Sequence, residues 1–74
     1  MSLTKRSVTL RGHRTSVSLE PEFWAALDRA AAEESVALAR LVAQVDDARA
    51  GTQRSLSSAL RVYLLTRAER GARD

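Results

Sequence analysis

Arg14-Thr15-Ser16-Val17-Ser18-Leu19 alternates polar residues with β-branched or apolar ones at a period of two, the pattern of a half-buried β-strand. Thr15, Val17 and Leu19 fall on one face of that strand; Arg14, Ser16 and Ser18 fall on the other. Pro21 follows closely, at a position suited to the first turn of a helix. Everything beyond it has helical periodicity, and no later stretch makes a second strand of equal quality. A lone strand leaves its backbone N–H and C=O groups without partners. The pattern therefore predicts pairing with the same strand of a second copy, antiparallel across a two-fold axis. Such a ribbon would turn an apolar face to a core. Its other face would present Arg14, Ser16 and Ser18 from both copies, a shape that the DNA major groove admits.

Working back toward the amino terminus, residues 1–7 lack clear periodicity and are expected to form a flexible basic arm. Ser7-Val8-Thr9-Leu10 alternates briefly, either as a second strand or as an extension of the first. Gly12 interrupts it, and a bent lead-in is favoured because Gly12-His13 makes a poor two-residue hairpin turn. His13 can meet a phosphate or simply pack against the lead-in.

Toward the carboxyl terminus, the first helix is expected over Pro21 to Glu33, with Phe23, Leu27, Ala30 and Ala31 forming its apolar stripe and Trp24 widening it. Glu20 and Glu22 suit the positive end of that helix. Ser35 marks a break, and Leu38, Leu41, Val42 and Val45 give a second helix from about Ala37 to Arg49. Gly51 is expected as its carboxyl cap. Ser55 or Ser57 then caps a third helix reaching Arg67 to Arg70, with Leu56, Ala59, Leu60, Tyr63 and Leu64 buried. The fold class is mainly α with one β-strand. Its division is a basic arm at 1–7, one domain over 8–70 and a tail at 71–74.

The chain has 74 residues, no cysteine and one histidine. A core of this size is marginal without support. With disulfides and a Cys/His metal site excluded, association between copies is the remaining support. Val17, Leu19, Trp24, Leu27, Leu41 and Val45 are the expected dimer core. The net charge of +3 is unevenly spread. Lys5, Arg6, Arg11 and Arg14 give residues 1–19 a net +4 with no acid. Seven acids against Arg29 and Arg40 give residues 20–48 a net −5, and six arginines against Glu69 and Asp74 return residues 49–74 to +4. A basic leading segment suits a polyanion, with Lys5, Arg6 and Arg11 as phosphate contacts. There is no acid–base or nucleophile constellation, so neither an enzyme nor a cofactor is expected. No stretch nears the ~18 apolar residues needed to span a bilayer, so no membrane partner is expected and a cytoplasmic location is the default.

The order of strand, Pro-initiated helix, short break and second amphipathic helix resembles the ribbon-helix-helix superfamily. The run Arg11-Gly12-His13-Arg14-Thr15-Ser16-Val17-Ser18-Leu19-Glu20, with Phe23-Trp24, Ala26-Leu27 and the segment Leu56 to Val62, resembles small bacterial members that carry an added carboxyl-terminal helix. The resemblance implies an intertwined homodimer with an intermolecular antiparallel ribbon that enters the major groove of double-stranded DNA, in a transcriptional regulator. It assigns base contacts to Arg14, Ser16 and Ser18, the residues that alternation selects on its own. It also implies a phosphate clamp at the start of the second helix, here Ser35, Val36 and Ala37. The chain departs from the family there: Ser35 replaces the usual glycine, Ala37 replaces the usual capping serine, and Glu33-Glu34 lies alongside. Those departures leave a second reading open, an adaptor or antitoxin-like dimer that binds a protein partner.

Overall fold

The computed structural model describes residues 2–73. Strands β1 (Thr4–Leu10) and β2 (His13–Leu19) are followed by helices α1 (Pro21–Glu34), α2 (Leu38–Ala48) and α3 (Leu56–Arg73). The expected single strand is thus corrected to two. β1 pairs antiparallel with β2 inside one chain, in an unbroken register from Thr4↔Leu19 to Leu10↔His13. The partner that β2 requires comes from the same chain.

The turn explains why the sequence pattern pointed elsewhere. Its two central residues are Arg11 and Gly12, one position earlier than the Gly12-His13 pair judged unsuitable. Both have positive φ, 52° and 81°, as the primed turns that match strand twist require. Glycine adopts that region freely, whereas arginine does so at a cost of roughly 1–2 kcal/mol. Contacts made by the Arg11 guanidinium with Asp46, at 3.2 Å, and with Asp47 hold it there. Residues 4–7, expected as part of an arm, are the first half of β1, and residues 71–73, expected as a tail, are the last turn of α3. Asp74 lies outside the described residues.

Each helix end has a local cause. Glu20 precedes α1, and its carbonyl accepts from the N–H groups of Phe23 and Trp24. At the other end Ser35 takes a left-handed conformation with φ 57°. The Ser35 N–H donates to Ala32 O and the Val36 N–H to Ala31 O, a closure that glycine usually occupies. Ala37 begins α2 with no side-chain cap. α2 ends at Arg49 in a right-handed conformation, so Gly51, with φ 86°, shapes the following turn rather than the cap. Of the two serines considered for α3, Ser55 is the cap: its hydroxyl accepts from the Ser58 N–H at 3.2 Å. Ser57 instead donates to the Ser18 carbonyl at 3.4 Å.

The core lies between the hairpin and the three helices. β1 rests on α2, while β2 rests on α1 and α3. Val8, Leu10, Val17 and Leu19 close it from the hairpin side over Leu27, Leu41, Val42 and Leu60. The residues expected to form a dimer core, Val17, Leu19, Trp24, Leu27, Leu41 and Val45, are all buried by their own chain. Among the described residues, no helix is long and apolar enough to cross a membrane.

Candidate nucleic-acid interface

Because side chains alternate along a strand, the hairpin register sorts its residues into two faces. The pairs Arg6↔Val17, Val8↔Thr15 and Leu10↔His13 share the core side. The pairs Lys5↔Ser18, Ser7↔Ser16 and Thr9↔Arg14 share the outer side. Of these outer residues Ser18 is half-buried and the others are exposed. The face is about as wide as two strands roughly 4.8 Å apart. It carries two cations, four hydroxyls and no acid, an array of donors and two-way hydroxyl groups aimed at solvent.

Arg14, Ser16 and Ser18 stand together on this face, as the alternation of β2 placed them. Lys5 joins them opposite Ser18 instead of lying on an arm. Ser7 and Thr9 complete the array, and neither was singled out from sequence. The signal was present: Lys5 to Leu10 alternates as regularly as β2 does, and becomes a strand once Arg11-Gly12 is accepted as the turn.

The other basic residues expected to meet phosphate are placed differently. Arg6 points to the core side, with its guanidinium 4.6 Å from the Trp24 ring centroid and 3.2 Å from an Asp28 carboxylate oxygen. Arg11 is held by Asp46 and Asp47 at the hairpin tip. Among the described residues, Lys5 and Arg14 take part in no ion pair. Charge is therefore neutralised around the core side of the hairpin and left available on its outer side.

The α1–α2 junction carries Ser35, Val36 and Ala37. The Ser35 and Val36 amides donate to α1 carbonyls and are consumed by the helix ending. Ala37 supplies a carbonyl that accepts from Arg40 and Leu41. Beside them, the acids Glu33 and Glu34 are both gripped by Arg67 of α3, at 2.7 and 2.6 Å. The two carboxylates raise the guanidinium's already high pKa further. This pairing joins residues more than thirty positions apart and has no local sequence signature.

Two carboxylates bind the hairpin and its flanks to the helices. Glu20 is held below the usual carboxylate range by a backbone hydrogen bond and by Arg61, whose Nε and Nη2 both donate to it. Asp46 is lowered by Arg49 and then by Arg11. A family model described as a ribbon-helix-helix domain matches residues 3–68. No curated protein and no solved structure matches the chain.

Proposed function

The chain belongs to the ribbon-helix-helix domain family, whose members generally bind DNA as transcription regulators and typically form dimers, and from that premise we propose that it is a sequence-specific DNA-binding regulator whose own hairpin enters the major groove. The observation that carries this reading is the outer hairpin face: Lys5, Ser7 and Thr9 on β1 beside Ser18, Ser16 and Arg14 on β2, with no acid among them. A major groove about 12 Å wide accepts a two-stranded ribbon. Arg14 matches guanine O6 and N7, while Ser16 and Ser18 donate or accept at several base edges. Lys5, near the open end of the hairpin, is the phosphate contact that positions it.

Domains of this family are typically non-enzymatic, and the proposed activity needs only recognition. Arg6 and Arg11 fix the hairpin to the helices and leave phosphate binding to Lys5. The intertwined ribbon expected from sequence is not needed for the reading surface, since each chain brings two strands of its own.

Selection from random duplexes, followed by titration of the selected site at several salt concentrations, tests the proposal. A steep salt slope and a sequence preference that Arg14→Ala relaxes are the expected results. A flat slope with no selected sequence would sink the DNA reading and favour a protein-binding adaptor.

A further inference from the structure

Where the end of α1 and the second half of α3 approach α2, they leave an open cleft of about 710 Å³. Its α3 wall is Tyr63, Thr66, Arg67 and Arg70, spaced i, i+3, i+4 and i+7 along one helical face. Nearer the helix start the same face carries Leu56, Ala59 and Leu60, which pack in the core. Past Tyr63 it still turns toward α1 and α2, but it becomes polar. Core packing explains the first half of this face and not the second.

The clasp of Arg67 on Glu33 and Glu34 accounts for Arg67 alone. Each carboxylate gives one oxygen to the guanidinium, Glu33 Oε1 at 2.7 Å and Glu34 Oε2 at 2.6 Å, and keeps its other oxygen for a further donor. Two carboxylates on one cation leave that end of the cleft with a net charge of −1. Arg70 stands nearly one helical turn beyond, about 5 Å along the axis. It is exposed and, among the described residues, takes part in no ion pair. The cleft therefore has a negative end and a positive end side by side. A simple anion meets the surplus carboxylate and a simple cation meets Arg70, whereas a molecule carrying both charges satisfies both ends. Gln44 of α2 adds an amide that donates and accepts, and Tyr63 adds a ring face.

From this arrangement we infer that the cleft binds a small zwitterion, an α-amino acid with an apolar side chain. Its ammonium donates to the remaining oxygens of Glu33 and Glu34, and its carboxylate accepts from Arg70. Its side chain lies on the Tyr63 ring. The cleft shares no residue with the outer hairpin face, so the site stands whether or not the hairpin reads DNA. Because the occupant joins the end of α1 to α3, its binding stabilises the folded chain by mass action.

Titration of the intact chain with L-phenylalanine, and separately with L-leucine, tests the assignment. Both should raise the melting temperature and shift, saturably, the Gln44 side-chain amide and the Thr66 and Arg67 backbone amides. Phenylalanine methyl ester keeps the ammonium without the carboxylate charge, and phenylpropionate keeps the carboxylate without the ammonium. Each should bind about tenfold more weakly or worse, having lost one charge-assisted contact. Arg70→Gln should weaken L-phenylalanine by about tenfold for the same reason. Its melting temperature without amino acid should match that of the unmodified chain, since Arg70 holds nothing in the fold. No saturable shift with either amino acid, equal binding of either analogue, or full affinity in Arg70→Gln would each overturn the assignment.

Discussion

The indole Nε1–H of Trp24 donates to the carbonyl oxygen of Thr4 at 2.7 Å, so the first residue of β1 is tied to the first turns of α1 across twenty positions of chain. The Arg6 guanidinium stacks on the same ring and reaches Asp28 one helical turn beyond. The open end of the hairpin, where fraying would begin, is fixed at this point.

Trp24→Phe keeps much of the apolar surface but removes the only donor. It is expected to cost about 1–3 kcal/mol, since the lost bond is part-buried and the smaller ring leaves space. Chemical denaturation measures the cost. Amide exchange should show residues 4–6 opening first; uniform exchange along β1 would mean that this contact does not hold the end.

Two helix boundaries are suboptimal and should respond to repair. Ser35→Gly places glycine at a left-handed position and is expected to stabilise by about 1 kcal/mol. Ala37→Ser supplies the missing hydroxyl at the start of α2 and is expected to add about 1 kcal/mol. The opposite change, Gly12→Ala at φ 81°, is expected to destabilise by about 1 kcal/mol or more through strain, because nothing lies within 4 Å of the added methyl. Urea midpoints of the three variants check all the signs.

On DNA, the arginines should divide by face. Arg14→Ala should cost about 1–3 kcal/mol at the preferred sequence and relax the preference. Lys5→Ala should weaken all sequences alike and reduce the salt slope. Arg6→Ala should leave affinity near normal and lower the melting temperature slightly, since its partners are Trp24 and Asp28. Equal affinity losses for Arg6→Ala and Arg14→Ala would show that the two hairpin faces do not divide the work.

Acid should loosen the fold through Glu20 and Asp46. Both carboxyls are depressed from ordinary values of 4.5 and 3.8, Glu20 by a backbone hydrogen bond and Arg61, Asp46 by Arg49 and then Arg11. A depressed folded pKa gives stability that is complete above the ordinary value and lost as pH falls through the folded one. The melting temperature is therefore expected to be level from neutral pH to about 5 and to fall below that. Asp46→Asn should start lower and fall less steeply; an identical acid limb in the variant would remove Asp46 from the account.

The alternation of Thr15, Val17 and Leu19 made one hairpin face legible, and the stripes of Leu38, Leu41, Val42, Val45 and of Ala59, Leu60, Leu64 did the same for α2 and α3. The source of the pairing strand was not legible, because it depended on an arginine adopting positive φ. Asx or glycine at that position would have announced the turn; Arg11 does not, and Asp46, which holds it together with Asp47, lies 35 positions away. Ser7 and Thr9 were hidden by the same choice. Arg67 extends the apolar stripe of α3 in sequence, and its clasp on Glu33 and Glu34 emerges only when α1 and α3 are side by side.

The two-residue connection between β1 and β2 also has a kinetic meaning. Strands joined so closely meet in about 1–10 μs, and their pairing demands little loop closure. An interlaced dimer must bring two chains together before its core exists, so its folding slows with dilution. Here β1 finds β2 within one chain, so that pairing is a first-order process. Hairpin formation is thus confined to one chain, and its rate should be the same at nanomolar and micromolar concentration.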